Sequence, residues 1–190
     1  MQRYQWEGNA MIQLKICLLG SFAVGKTSLV ARFSRGIFSD KYLATLGVKI
    51  DRKRIQVDGT AVTLILWDMA GEDEFAKVQM SYLTGAAGYL LVFDGTRKLT
   101  FDQALILEER ARTTVGALPF VVLANKADLE DQWEVSAGDI KALTARKWLV
   151  QKTSAKTGED VDGAFEKLVR GILSRRGSSA GTQAQDSAES

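Results

Sequence analysis

The sequence predicts an α/β sandwich: a mostly parallel sheet with one antiparallel strand at its edge, covered by helices. Three observations carry this. Apolar runs of strand length alternate with segments of helical spacing along most of the chain. A Gly-bounded turn, Gly20 to Gly25, joins the first strand to the first helix, and Asp58-Gly59 links two alternating stretches as a hairpin. The length of 190 residues suits one domain with a substantial core, and 46% hydrophobic with 25% charged residues is ordinary for a globular protein. A net charge of +2 gives no argument for a nucleic-acid partner, and none is expected. No apolar run is long enough to span a bilayer and the polar start has no signal-peptide core, so a cytosolic location is expected. The chain has no histidine, which excludes Ser-His-Asp and Cys-His hydrolysis and His-ligated zinc as internal chemistry. Its single cysteine, Cys17, cannot form an internal disulfide and reads as a small buried hydrophobe.

Taken in order, residues 1–10 are polar and aperiodic and read as a flexible lead-in, with Trp6 a singly exposed aromatic. Ile12 to Leu19 alternates and then turns wholly apolar, as a strand does when it enters a core, and Thr27 to Phe33 has helical spacing. Ser34 to Gly47 has no clean period, and a loop of that length tends to be functional or disordered. Val48 to Val57 and Val62 to Trp67 are the hairpin strands. Lys49, Arg52, Lys53 and Arg54 on the first are the charges expected of a protected sheet edge, a basic groove being the alternative. Asp68 to Gly85 begins as a turn and becomes a short helix. Ala87 to Phe93 reads as a strand buried on both faces, and Thr100 with Gln103 has the pattern of a capping box opening the next helix. Leu118-Pro119 breaks that helix before the strand Phe120 to Ala124. A helix from Ser136 to Lys147, a strand from Leu149 to Lys152 and a helix from Val161 to Leu173 complete a domain spanning 11–174. Beyond it, 175–190 is expected to be a disordered tail, because from Gly177 the composition cannot bury enough surface to order itself.

Gly20-Ser21-Phe22-Ala23-Val24-Gly25-Lys26-Thr27 fits G-x-x-x-x-G-K-[ST]. In that loop the backbone N–H groups of Ser21, Phe22, Ala23, Val24 and Gly25, continuing into Ser28, cradle phosphates. Lys26 reaches the β/γ oxygens and Thr27 ligates Mg²⁺. Asp68-Met69-Ala70-Gly71 follows a strand, where Asp68 can hold Mg²⁺ through water and the Gly71 N–H can face a γ-phosphate. The similar Asp160-Val161-Asp162-Gly163 sits inside the start of a helix and is a decoy. Asn125-Lys126-Ala127-Asp128 points to guanine: one carboxylate, Asp128, can accept both N1–H and the exocyclic amine, a pattern adenine does not offer. Lys126 would pack its stem over the base and Asn125 brace the loop. In Thr153-Ser154-Ala155-Lys156 a backbone N–H can meet the guanine O6 while Lys156 covers the other face.

The ordered set GSFAVGKT, FSDKYLATLGV, WDMAGEDEF, NKAD and TSAK resembles the Ras superfamily of small GTPases, with the second and third closest to the Rab branch. The likeness covers Leu14 to Leu173. It implies a P-loop, Ras-like three-layer sandwich on a six-stranded sheet, GTP and GDP with Mg²⁺ as ligands, and a switch with two surfaces. By the same resemblance Phe38 stacks on the guanine, Tyr42 joins the nucleotide contacts, and Thr27, Thr45 and Asp68 serve the metal. Residues 36–48 become switch I and 69–83 switch II, and Lys26, Thr45, Gly71 and Glu72 carry the hydrolytic step. It also implies an exchange factor, a GTPase-activating protein and effectors that meet the switches and Ile50, Trp67 and Tyr82. The oligomeric state is open in the sequence, a monomer being expected.

Two residues depart from the family pattern. Glu72 stands where a water-orienting Gln is usual, and a carboxylate cannot donate a hydrogen bond to γ-phosphate oxygens and adds charge beside an anionic transition state. Phe22 stands where a small residue leaves room for an incoming arginine, and switch I holds no arginine between Gly36 and Val48 to act in cis. Slow unaided turnover is expected, near or below the order of 10⁻⁴ s⁻¹ of Ras itself. Lys49 replaces an expected acid and Ile50 an expected Phe, so effectors of other Rab proteins need not fit. No cysteine near the C-terminus offers a prenyl anchor, so membrane association is expected only through a partner. A nucleotide-locked scaffold without useful hydrolysis is the first alternative. An ATP-using P-loop enzyme, disfavoured by Asn125-Lys126-Ala127-Asp128, is the second.

Overall fold

The computed structural model describes residues 12–39, 45, 47–71 and 80–186, with side chains as far as Gly177. Six strands, β1 (Ile12–Leu19), β2 (Val48–Val57), β3 (Thr60–Met69), β4 (Gly88–Asp94), β5 (Phe120–Asn125) and β6 (Val150–Thr153), form one sheet. Their order is β2-β3-β1-β4-β5-β6, with β2 and β3 antiparallel and every other pairing parallel. The helices are α1 (Lys26–Arg35), α2 (Lys98–Val115), α3 (Ala137–Ala145) and α4 (Val161–Asp186), with 3₁₀ turns at Met80–Leu83 and Ala127–Gln132. This is the predicted α/β architecture.

Strand period two divides the core. Leu14, Ile16, Leu18, Leu64, Leu66, Leu90 and Val92 meet α1 and α4 on one face, where Phe33 stacks on Phe165 at 3.7 Å between centroids. Cys17, Leu19, Tyr89, Leu91 and Phe93 meet α2 and Leu143 of α3 on the other. The sheet is therefore the middle of three layers, with loops at the strands' C-terminal ends left to build a site. Asp58 and Gly59 both have positive φ, 48° and 79°, as a type I′ hairpin turn requires, and β2 and β3 pair along their whole length.

Two expectations are corrected. Thr100 does not open α2. The helix starts at Lys98 with Arg97 as its N-cap and no side-chain cap, while the Thr100 hydroxyl receives the Asp94 N–H (3.0 Å) and donates to the Arg97 carbonyl (2.8 Å). Gln103, the expected capping partner, instead accepts from the Ser21 hydroxyl. The expected Ser136 start does carry a reciprocal capping box, with Asp139 rather than Glu or Gln in the third position. Finally, α4 does not stop at Leu173 but runs to Asp186, through most of the segment 175–190 expected to be disordered. Ser, Ala and Gln weaken a helix without breaking it, and no proline follows Leu173 to end it. Residues 1–10 with Trp6, the switch I residues 40–44 with Tyr42, and Glu72 with the rest of 72–79 lie outside the described residues.

Candidate functional site

The phosphate loop occupies the turn from β1 into α1. Gly25 is the N-cap at φ 98°, where a side chain would be strained, and a Cβ there would run into the Asn125 amide. No side chain caps α1 and its first turn holds no acid, so the N–H groups that begin the helix and its positive dipole end face the cavity without a competing carboxylate. Lys26 is buried and donates to the Gly20 and Ser21 carbonyls, both at 2.9 Å. Burial brings its ammonium down from 10.5 to about 8, with Asp68 pulling the other way.

Asp68 ends the β3 run beside it and is wholly buried, which raises its carboxyl above the ordinary carboxylate range. Its Oδ2 accepts from the Thr27 hydroxyl at 2.6 Å, and the Thr27 and Thr45 hydroxyls lie 2.7 Å apart. Its Oδ1 is buried with no hydrogen-bond partner among the described residues. Such an orphaned anionic oxygen costs stability unless a cation or a donor completes it. Two hydroxyls and one carboxylate are the hard oxygen set that suits Mg²⁺ completed by phosphate oxygens and water. Among the described residues no cluster of three His, Cys, Asp or Glu side chains offers an all-protein cage. Gly71 packs against the phosphate loop so closely that a Cβ would sit 2.5 Å from the Phe22 Cα, leaving room only for backbone there.

The base-reading loops join at Asn125, the last residue of β5. Its Nδ2 donates to the Val24 carbonyl (2.8 Å), and its Oδ1 accepts from the Thr153 hydroxyl (3.4 Å) and the Ala155 N–H (3.3 Å). One buried amide thus ties the phosphate loop to both base-reading motifs. Asp128 accepts from the Ser154 hydroxyl at 2.6 Å, and Arg32 of α1 donates to the Ala155 (2.8 Å) and Lys156 carbonyls. Phe22, Phe38, Thr45, Gly71, Asn125, Lys126, Asp128 and Lys156 line one cavity of about 630 Å³ with Lys26 and Thr27 in its wall, a size that suits a small-molecule ligand.

Sequence reasoning missed Asp94 and Arg97. Asp94 is fully buried at the end of β4, opposite Asn125 in register. It accepts from Lys126 Nζ (2.6 Å), Arg97 Nε (2.9 Å), and the Thr96 N–H (3.0 Å) and hydroxyl (2.7 Å). These donors hold its carboxyl below the ordinary range despite burial. Arg97 also donates through Nη2 to the Phe22 carbonyl at 3.0 Å. An acid closing the apolar run Gly88 to Phe93, at the carboxyl end of a central strand, was the available signal. Away from the cavity, Ile50 and Trp67 are cross-strand partners, and the Trp67 and Tyr82 rings lie 6.1 Å apart.

Comparison with known proteins agrees with this geometry. The family model described as "Ras family" matches residues 15–174. The chain is 38% identical over 161 residues to Ras-related protein RABA5b of Arabidopsis thaliana, covering 84% of this chain and 74% of the relative. It is 35% identical over 170 residues to GTP-binding protein ypt2 of Schizosaccharomyces pombe (86% and 82%). To human Ras-related protein Rab-8B it is 34% identical over 168 residues (85% and 79%). With the phosphate loop, Asp68 and the two base-reading motifs gathered on one sheet edge, the chain belongs to the Ras family, in its Rab branch, and is a small GTPase of the molecular-switch kind.

Proposed function

We propose that this protein binds GDP and GTP with Mg²⁺, hydrolyses GTP slowly by itself, and recruits effectors in the GTP state, in exchange with a nucleotide-exchange factor and a GTPase-activating protein. The observation that carries this reading is that the uncapped start of α1, the Thr27 hydroxyl with Asp68 bonded behind it, and the Asn125-centred base loops converge on one cavity. Asp128 would accept the two guanine N–H groups, with the Ser154 hydroxyl fixing its rotamer and Lys126 held in place by Asp94. Phe38 and Lys156, on the cavity wall, would flank the base.

At the other end, Lys26 would place its ammonium on the β/γ oxygens, exchanging its two carbonyl acceptors for phosphate, while the Gly71 N–H would meet the γ-phosphate. Thr27, Thr45 and Asp68 would hold Mg²⁺, which when bound offsets charge developing on the phosphate oxygens. Water attacks the γ-phosphorus and the bond to the β-phosphate oxygen breaks, giving GDP and phosphate. Glu72 would be able to accept a hydrogen bond from that water but not to donate one to the γ-phosphate oxygens, and Phe22, which lines the cavity and is 39% exposed, would narrow the approach for an outside arginine. That placement of Phe22 favours, as a second reading, a GTP-dependent scaffold in which hydrolysis is lost altogether.

Identification of the nucleotide that co-purifies, with GTP, ATP and XTP competition, tests the binding reading. Guanine nucleotide is expected in stoichiometric amount, and Asp128→Asn should move preference toward xanthine nucleotides. Retention of neither GDP nor GTP at micromolar concentration with Mg²⁺ would end it. Single-turnover hydrolysis separates the two readings: slow release of phosphate that a cell extract accelerates supports the switch, and none under either condition supports the scaffold.

A further inference from the structure

The sheet face formed by β1, β2 and β3 on the side away from α1 and α4 carries a patch of one sign. Strand register sets its rows. Ile50 lies opposite Trp67, and Trp67 beside Cys17; Arg52 lies opposite Ile65, and Ile65 beside Lys15; Arg54 follows one row further along β2. The first row is the apolar centre, with Ile50 55% exposed and the half-buried Trp67 beside it. Lys15 is clamped at its border: its Nζ stands 3.8 Å over the Trp67 ring and donates to the Thr84 carbonyl at 2.9 Å. Arg52 and Arg54 are exposed, and neither has an ion pair among the described residues. The only carboxylates on these three strands, Asp51 and Asp68, alternate to the opposite face, Asp51 toward Arg35 and Asp68 toward Thr27.

Edge protection asks only for charge along β2, to which the exposed Lys49 already contributes, Lys53 being turned onto the Phe33 ring and Asp162. It does not put Lys15, on a strand inside the sheet, on the same face as Arg52 and Arg54 and around an exposed Ile50. We propose that this face docks a partner protein presenting carboxylates around an apolar anchor. Ile50 and Trp67 would supply the desolvated centre, the two guanidiniums would pair carboxylates at the rim, and complementarity of charge would select the partner. The proposal rests on the reading above that these strands meet effectors, and it names the chemistry of the effector they fit.

The test uses the full chain loaded with a non-hydrolysable GTP analogue and a labelled synthetic peptide alternating glutamate with valine, read by fluorescence anisotropy. Binding is expected at low salt and should weaken as ionic strength rises, with no binding of the matching lysine–valine peptide. Arg52→Glu with Arg54→Glu should lower affinity at least about tenfold, and Ile50→Ala several-fold, while GDP retention stays at the wild-type level. If the double reversal does not fold, Arg52→Gln with Arg54→Gln takes its place and must still weaken binding. Equal binding by the neutralised variant, or no peptide binding beside sedimentation with phosphatidylserine-containing vesicles, would overturn the proposal and, in the second case, make the face a membrane surface. Failure of the wild type to hold guanine nucleotide would instead strike the reading beneath it.

Discussion

Burial does two opposite things to Lys26. With its ammonium lowered to about 8, the phosphate-free site holds a partly neutral lysine above that pH, and a bound phosphate must recover the charge by taking up a proton. Affinity for GDP should therefore be full below about pH 8 and fall with each further unit, approaching tenfold per unit, a slope that Lys26→Gln should remove in a titration from pH 7 to 9. Stability of the nucleotide-free protein should move the other way. From about 8 to 10.5 the unfolded chain binds more protons at this lysine than the folded one, so unfolding free energy rises with pH across that window. The residues of the phosphate loop were legible in the sequence because their spacing is local. Asp94 and Arg97 were not. Arg97 meets a carbonyl 75 positions away, and Asp94 is met by a lysine on the neighbouring strand's loop.

At the scale of the element, strands and helices were readable where a single pattern held over many residues. The runs Ile12–Leu19 and Val48–Val57 and the Asp58-Gly59 turn emerge where periodicity and turn chemistry put them. Helix starts were less readable because Thr and Ser serve two masters. At Thr100 the hydroxyl is drawn to the Asp94 loop, whereas at Ser136 it caps α3 and receives the Asp139 N–H at 3.1 Å. Ser136→Ala should cost about 1 kcal/mol, seen as a lowered urea midpoint at unchanged m value, with GDP affinity unaffected since α3 does not line the cavity. The far end of α4 was unreadable from composition, which registers what a segment cannot bury but not whether an existing helix simply continues.

Across the whole molecule the site is a junction of loops from five strands, and two bridges make it one body. Asn125 spans from β5 to the phosphate loop and to the loop after β6, and Asp94 with Arg97 spans from Lys126 to Phe22. Charge-assisted hydrogen bonds of this kind are worth about 1.5–3 kcal/mol, somewhat less for a side chain 42% exposed. Arg97→Ala should accordingly speed release of fluorescent GDP by about tenfold, with Arg97→Lys intermediate. An unchanged rate would mean that the Phe22 shoulder stands without it. The close approach of Gly25 to the Asn125 amide has a consequence for ancestry and engineering alike. Position 25 can carry no side chain while the amide stays where it is, so any residue but glycine there must push Asn125 away and loosen, from a hundred positions off, the bridge to the loop after β6.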